Sequence, residues 1–157
     1  MKIVSFTAKI DDDVKLQYKL TPEYDSEFNL LVMAYLNSPD GWTQDGYAFN
    51  ISEKNASVDI RLSSQTTIRK KCGFTGKLSC AELGGRHMYL NADRWFRGSK
   101  SSRLSLDNYR QYMISHEIGH ILGEGHTKCP CKGCHAPIMM QQTRGIGECI
   151  PNTNVKK

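Results

Sequence analysis

The sequence predicts an α/β domain, on three observations. Residues 58–62 alternate strictly, with Val58, Ile60 and Leu62 on one face and Asp59 and Arg61 on the other, as a half-buried strand requires. Residues 27–36 and 106–122 read as helices closed by strong stop signals. The chain has 157 residues, 39% of them apolar and 24% charged, which suits one domain with a real core.

In chain order, residues 3–10 and 16–20 look extended. The helix candidate 27–36 ends at Asn37-Ser38-Pro39-Asp40-Gly41, a stop and turn. Two strands follow, 47–51 and 57–62, then a loop bounded by Cys72 and Cys80. Residues 86–90 form a further strand candidate leading into 91–95, and 98–103 form a polar loop. Ser105 is a good N-cap for the helix from about 106 to 122, with Asp107 in the first turn complementing the helix dipole. Ile114, Ile118 and Ile121 fall on one face and should meet the core. Gly123 ends the helix. The rest is rich in Gly, Pro and Cys and irregular, the kind of long loop that is functional or cross-linked.

Composition excludes some classes. No apolar run reaches the roughly 18 residues of a membrane helix. Basic residues number 21 against 16 acidic, a net +5, but they are scattered apart from Arg69-Lys70-Lys71 and Lys156-Lys157. A nucleic-acid binder concentrates them in a stripe, so no nucleic-acid partner is expected. The first six residues lack a signal peptide's apolar stretch, and Asp11-Asp12-Asp13 follows closely, so no export signal is visible. The acidic run reads as a solvated turn rather than a calcium site. Six cysteines, Cys72, Cys80, Cys129, Cys131, Cys134 and Cys149, point the other way, towards disulfides in an oxidising or extracellular compartment. Sequence alone cannot choose among their pairings. The spacing Cys129-Pro130-Cys131-Lys132-Gly133-Cys134 with Cys149 also permits a second, structural zinc site made of four cysteines.

The chemistry lies in one string. His116-Glu117-Ile118-Gly119-His120 sits on the second helix, and Gly123-Glu124-Gly125-His126 follows. His116 and His120 are four apart and project from one face, where both imidazoles can reach a metal at about 2.0–2.1 Å. Glu117 stands beside the coordination position they leave open. Were the helix to continue, His126 would lie roughly 120° off that face and about 9 Å along the axis. The chain must therefore break and turn back, and Gly123 is where it can. Structural zinc sites normally close with a fourth protein ligand, often Cys; three histidines with a carboxylate beside an open position form a catalytic arrangement instead. The blander alternative is a helix with solvent-facing histidines. His87 and His135 read as ordinary polar residues.

The string His116 to His126 matches the metzincin signature HExxHxxGxxH at every fixed position, and the chain resembles that clan of zinc metallopeptidases. Ala136-Pro137-Ile138-Met139-Met140-Gln141-Gln142-Thr143 is similar to the Met-turn beneath a metzincin zinc, with Met139 aligned to the family methionine and Met140 the alternative. More narrowly, Ser38-Pro39-Asp40-Gly41-Trp42, the Cys72 to Cys80 segment, Asn91-Ala92-Asp93-Arg94-Trp95, Tyr109-Arg110, the histidine string and the Met-turn resemble, in order, a bacterial domain-of-unknown-function family of secreted metzincin-like proteins. No tyrosine follows the Met-turn, so a tyrosine ligand is not implied.

The resemblance implies a single metzincin-like catalytic domain over 1–157, with subdomains of about 1–123 and 124–157. Its parts are a twisted mixed sheet, a backing helix, a zinc helix and an irregular Cys-rich C-terminal subdomain. It implies one catalytic Zn2+ held by His116, His120 and His126, and a monomeric endopeptidase that hydrolyses peptide bonds with zinc-activated water and Glu117 as general base. It also implies disulfides between Cys72 and Cys80 and between Cys129 and Cys149, leaving Cys131 near Cys134. A catalytically weak zinc-binding interaction module, or a zinc amidohydrolase acting on a non-peptide amide, are the other readings.

Overall fold

A computed structural model of the protein describes residues 1–73 and 75–157; Phe74, inside the expected loop between Cys72 and Cys80, lies outside them. Five strands form one mixed sheet: β1 (Lys2–Ile10), β2 (Tyr47–Ile51), β3 (Val58–Ser63), β4 (Cys80–Ala81) and β5 (His87–Asn91), in the order β2-β1-β3-β5-β4. All neighbours run parallel except β4, which pairs antiparallel to β5 at the edge. The parallel register places Phe6 beside Val58, Ala8 beside Ile60 and Ile60 beside Met88, so one face of the sheet is a continuous apolar surface. The opposite face carries Thr7, Asp59, Arg61 and His87, and Arg61 pairs there with Asp11 and Asp59. Parallel strands usually read as unbroken apolar runs because helices cover both faces. The alternation of β3 survives here because this second face stays polar.

Two helices carry most of the buried helical residues. α2 (Tyr24–Leu36) packs on β1 and β2 through Phe28, Val32, Tyr35 and Leu36, spaced as one helical stripe. α5 (Leu106–Ile121) packs against α2, β4 and β5; Ile114, Ile118 and Ile121 are all buried, as their spacing predicts. Ser105 caps α5 by accepting from Asn108 N. Asp107 does more than face the helix dipole: it accepts a 2.7 Å hydrogen bond from Tyr35 Oη and ties the two helices together. Fully buried Trp95 stands edge-on to Phe28 and Tyr35. Its indole donates to Tyr24 Oη, and the Arg110 guanidinium lies 4.5 Å from its ring.

Three short helices depart from the sequence expectations. Of the residues expected to be extended at 16–20, Leu16 and Gln17 instead end α1 (Asp12–Gln17), whose first turn holds Asp12 and Asp13, and 18–20 follow it. The acidic run is therefore a helix start, where negative charge meets the positive end of the dipole. Asp11 accepts from Ser63 Oγ at 2.7 Å and binds the sheet. Ahead of the Cys72–Cys80 segment, α3 (Gln65–Cys72) is capped by Ser64, which accepts from Thr67 N. The third, α4 (Ala92–Arg97), is capped by Asn91 accepting from Arg94 N. α1 and α3 bury a single residue each, Val14 and Ile68, and so carry no apolar stripe to read.

All six cysteines are paired: Cys72 with Cys80, Cys129 with Cys149, and Cys131 with Cys134. This corrects the four-cysteine zinc alternative, since no free cysteine remains among the described residues to hold a second zinc. After α5 the chain folds around a small cluster of Ala136, Ile146 and Cys149. Its centre is polar. Buried Gln142 donates to Pro137 O and Asn152 O, and buried Asn152 donates to Ala136 O and Asn154 O. No helix among the described residues is long and apolar enough to cross a membrane.

Ile60 lies at the middle of the sheet with no exposed surface. Ile60→Ala should destabilise the fold by about 2–5 kcal/mol, read as a lower denaturant midpoint at unchanged slope.

Candidate metal centre

α5 delivers His116 and His120 one turn apart, and the chain then reverses. Gly123 adopts φ +99°, and Gly123 N and Glu124 N close onto His120 O and Gly119 O. The reversal brings His126 back over the helix. One donor atom from each of His116, His120 and His126 lies within 4.8 Å of the others, so the group could hold a metal ion. His120 Nε2 and His126 Nε2 are 3.1 Å apart. His87 and His135 lie elsewhere: His87 faces Asp59 at 3.4 Å, and His135 bridges to Ile150 through its backbone.

Two of the imidazoles are oriented by carbonyl groups. His116 Nδ1 lies 2.8 Å from Ile138 O, and His120 Nδ1 lies 2.8 Å from Glu124 O. A carbonyl can only accept, so Nδ1 carries a proton on each ring, which leaves Nε2 as the atom whose lone pair a metal would take. Burial pushes His116 down to about 3, and its two histidine neighbours add to that against the hydrogen bond to Ile138. Burial and His120 also lower His126. Neutral rings with exposed Nε2 lone pairs are the form that ligates a cation.

Glu117 is buried in the same cleft, and its Oε1 has no hydrogen-bond partner among the described residues. That burial pushes its carboxyl up to about 8. A buried carboxyl oxygen without a partner is costly to hold out of water, which marks Glu117 as a candidate functional group.

Packing beneath the histidines is tight. A Cβ at Gly119 would stand 2.5 Å from Met139 Sδ and 3.1 Å from Trp42 Cζ2. Only glycine lets the methionine and the indole reach the helix there. Trp42 also donates its indole N–H to Ser115 O, one turn earlier. Tyr112 Oη donates to Met140 O and accepts from Gln142 N, and Tyr109 Oη shares a 2.8 Å hydrogen bond with Thr143 Oγ1. Residues 109, 112 and 116 thus stitch one face of α5 to the segment 138–143. Sequence reasoning missed Tyr112 and Gln142, because their partners are distant in the chain.

The centre opens into a cleft of about 1600 Å³. Residues of α3, residues 75–81, and Gln141, Thr143 and Arg144 line it, with Tyr109, Tyr112 and Met113 from α5. Burial pushes Tyr109 up to about 12, against the pull of Thr143 and Arg94.

Gly119→Ala should cost about 1 kcal/mol net, overpacking outweighing the gain in helix propensity, measured by denaturant unfolding. Tyr112→Phe should cost about 1–3 kcal/mol because it strands the buried Gln142 N–H, measured the same way.

No curated protein matches the chain. Solved structures do. Myroilysin is 17% identical with a TM-score of 0.40, covering 80% of this chain and 49% of its own, so the chain spans about half the length of myroilysin. Archaemetzincin from Methanopyrus kandleri is 14% identical at TM-score 0.48, covering 92% and 87%. Archaemetzincin from Archaeoglobus fulgidus is 16% identical at 0.45, covering 95% and 96%. The family described as "Protein of unknown function (DUF3152)" matches residues 3–153, nearly the whole length, and the chain belongs to that family.

Proposed function

We propose that this protein is a zinc-dependent endopeptidase of the metzincin type. His116, His120 and His126 hold the metal, Glu117 is the general base, and Met139 belongs to the Met-turn under the site. One observation carries the reading: three imidazoles converge, two with Nδ1 engaged by carbonyls, in the cleft that also holds the unpartnered carboxylate of Glu117. The donor set fits zinc. Three neutral nitrogens are a common ligand set for a catalytic zinc, and the described residues bring no fourth His, Cys, Asp or Glu into the group.

When bound, zinc would supply a Lewis acid that polarises the scissile carbonyl and makes water more acidic. The chain's own groups do the rest. Glu117 takes a proton from the attacking water and returns it to the departing amine. Ile138 O and Glu124 O keep His116 and His120 turned towards the centre. The cleft exceeds the 300–1,000 Å³ typical of small-molecule pockets, which supports a peptide segment over a small amide.

Glu117→Gln should lower the rate of peptide cleavage by about 10²–10⁴-fold while zinc stays stoichiometric. His116→Ala should lose the metal. Cleavage of a proteome-derived peptide library, read by mass spectrometry beside elemental analysis, checks both. Wild-type cleavage by Glu117→Gln would contradict the assigned base, and unchanged zinc in His116→Ala the assigned ligand.

A further inference from the structure

Charge along the cleft is one-sided. Four cations line it, Arg69, Lys77, Arg94 and Arg144, and among the described residues the only carboxylate that does so is Glu117. The ion pairs of the protein engage other cations: Lys15 with Asp25, Arg61 with Asp11 and Asp59, Arg97 with Asp93, and Lys156 with Asp45. None of the four cleft cations takes part in an ion pair among the described residues.

Arg94 differs from the other three. It is half-buried, whereas they are exposed. Its Nε donates to Lys77 O at 3.2 Å, and Asn91 beside it donates to Gly76 O at 2.7 Å. The cleft wall at residues 76–77 is thus pinned to the start of α4, and the guanidinium is held with it. Neither terminal nitrogen of Arg94 has a hydrogen-bond partner among the described residues. Asp93, the neighbouring acid, is engaged by Arg97. A planar fork of donors, fixed at one nitrogen and free at two, is shaped to take a carboxylate in two parallel hydrogen bonds.

We propose that the cleft selects peptides with an acidic side chain close to the scissile bond, and that Arg94 is the residue that binds it. The proposal rests on the peptidase reading of the same cleft. Nucleic acid would also answer positive charge, but it calls for an exposed basic stripe, whereas here the distinctive cation is half-buried and hydrogen-bonded to the cleft wall.

The test uses octapeptides of Ala and Gly with a single Glu at each position in turn, and a matching set with Gln. Binding is measured by calorimetry to zinc-loaded protein in the Glu117→Ala background, which leaves the peptides uncut, and cleavage is measured with wild type. At one position or more, Glu should bind about ten- to a hundredfold more tightly than Gln. Adding Arg94→Gln should bring that preference below about twofold, and Arg94→Lys, which keeps the charge and checks the fold, should retain part of it. Equal binding of Glu and Gln at every position, or a preference untouched by Arg94→Gln, overturns the proposal even if wild type cuts peptides. An acid preference that depends on Arg94 without any wild-type cleavage supports the cleft assignment and overturns the peptidase reading. An oligothymidylate octamer that displaces the Glu peptides at lower concentration than the peptides themselves overturns it in favour of a nucleic-acid site.

Discussion

The hydrogen bond from His116 Nδ1 to Ile138 O joins the two parts of the protein that must agree for the site to exist. On one side is a helix whose position is set by the core. On the other is a tail with almost no regular structure. A single hydrogen bond contributes only about 1 kcal/mol net, so this one is supported along the same helical face by Tyr112 and Tyr109. The tail must also be stiff enough to present Ile138, Met140 and Thr143 at matching positions. The Cys129–Cys149 bridge, spanning 20 residues, contributes about 3 kcal/mol in the chain-entropy picture. The Gln142 and Asn152 side chains take over the hydrogen bonding that a strand or helix would supply. An irregular segment is thereby made as definite as a regular one.

The same constraint explains the cleft. α5 is buried on the side of Ile114 and Ile118 and stitched on the side of Tyr109 and Tyr112. The surface between those contacts faces the opening, and it carries the histidines and Glu117. Met139 and Trp42 press against Gly119 from below, so the helix has no room to settle towards the core. Holding a bare carboxylate in such a place is unfavourable in itself. It persists because the core, the disulfides and the tyrosine contacts together outweigh it.

Much of this was legible in the sequence where the signal is local. The alternation of β3, the stripe of α5, the Ser105 cap and the break at Gly123 are each written within a few residues, and the structure has them. The spacing from His116 to His126 required the chain to turn back, and it does. The short helices were harder. α1 and α3 each bury one side chain, so neither leaves a period, and the Asp11 to Asp13 run reads as a solvated turn although it starts a helix. Tyr112, Gln142 and Trp42 act on partners 28 to 73 residues away. Nothing at their own positions announces it. The cysteines lie between these extremes: their spacing admitted a zinc site of four cysteines, and only the bonding of Cys129 to Cys149 and of Cys131 to Cys134 separates that from disulfides.

The central claim, that three imidazoles and no cysteine hold a zinc ion, is tested most directly by X-ray absorption at the zinc edge of the purified protein. The account predicts one zinc per chain with three imidazole nitrogens at about 2.0–2.1 Å and no sulfur neighbour. Sulfur at about 2.3 Å, or a folded chain that takes up no zinc, would contradict it.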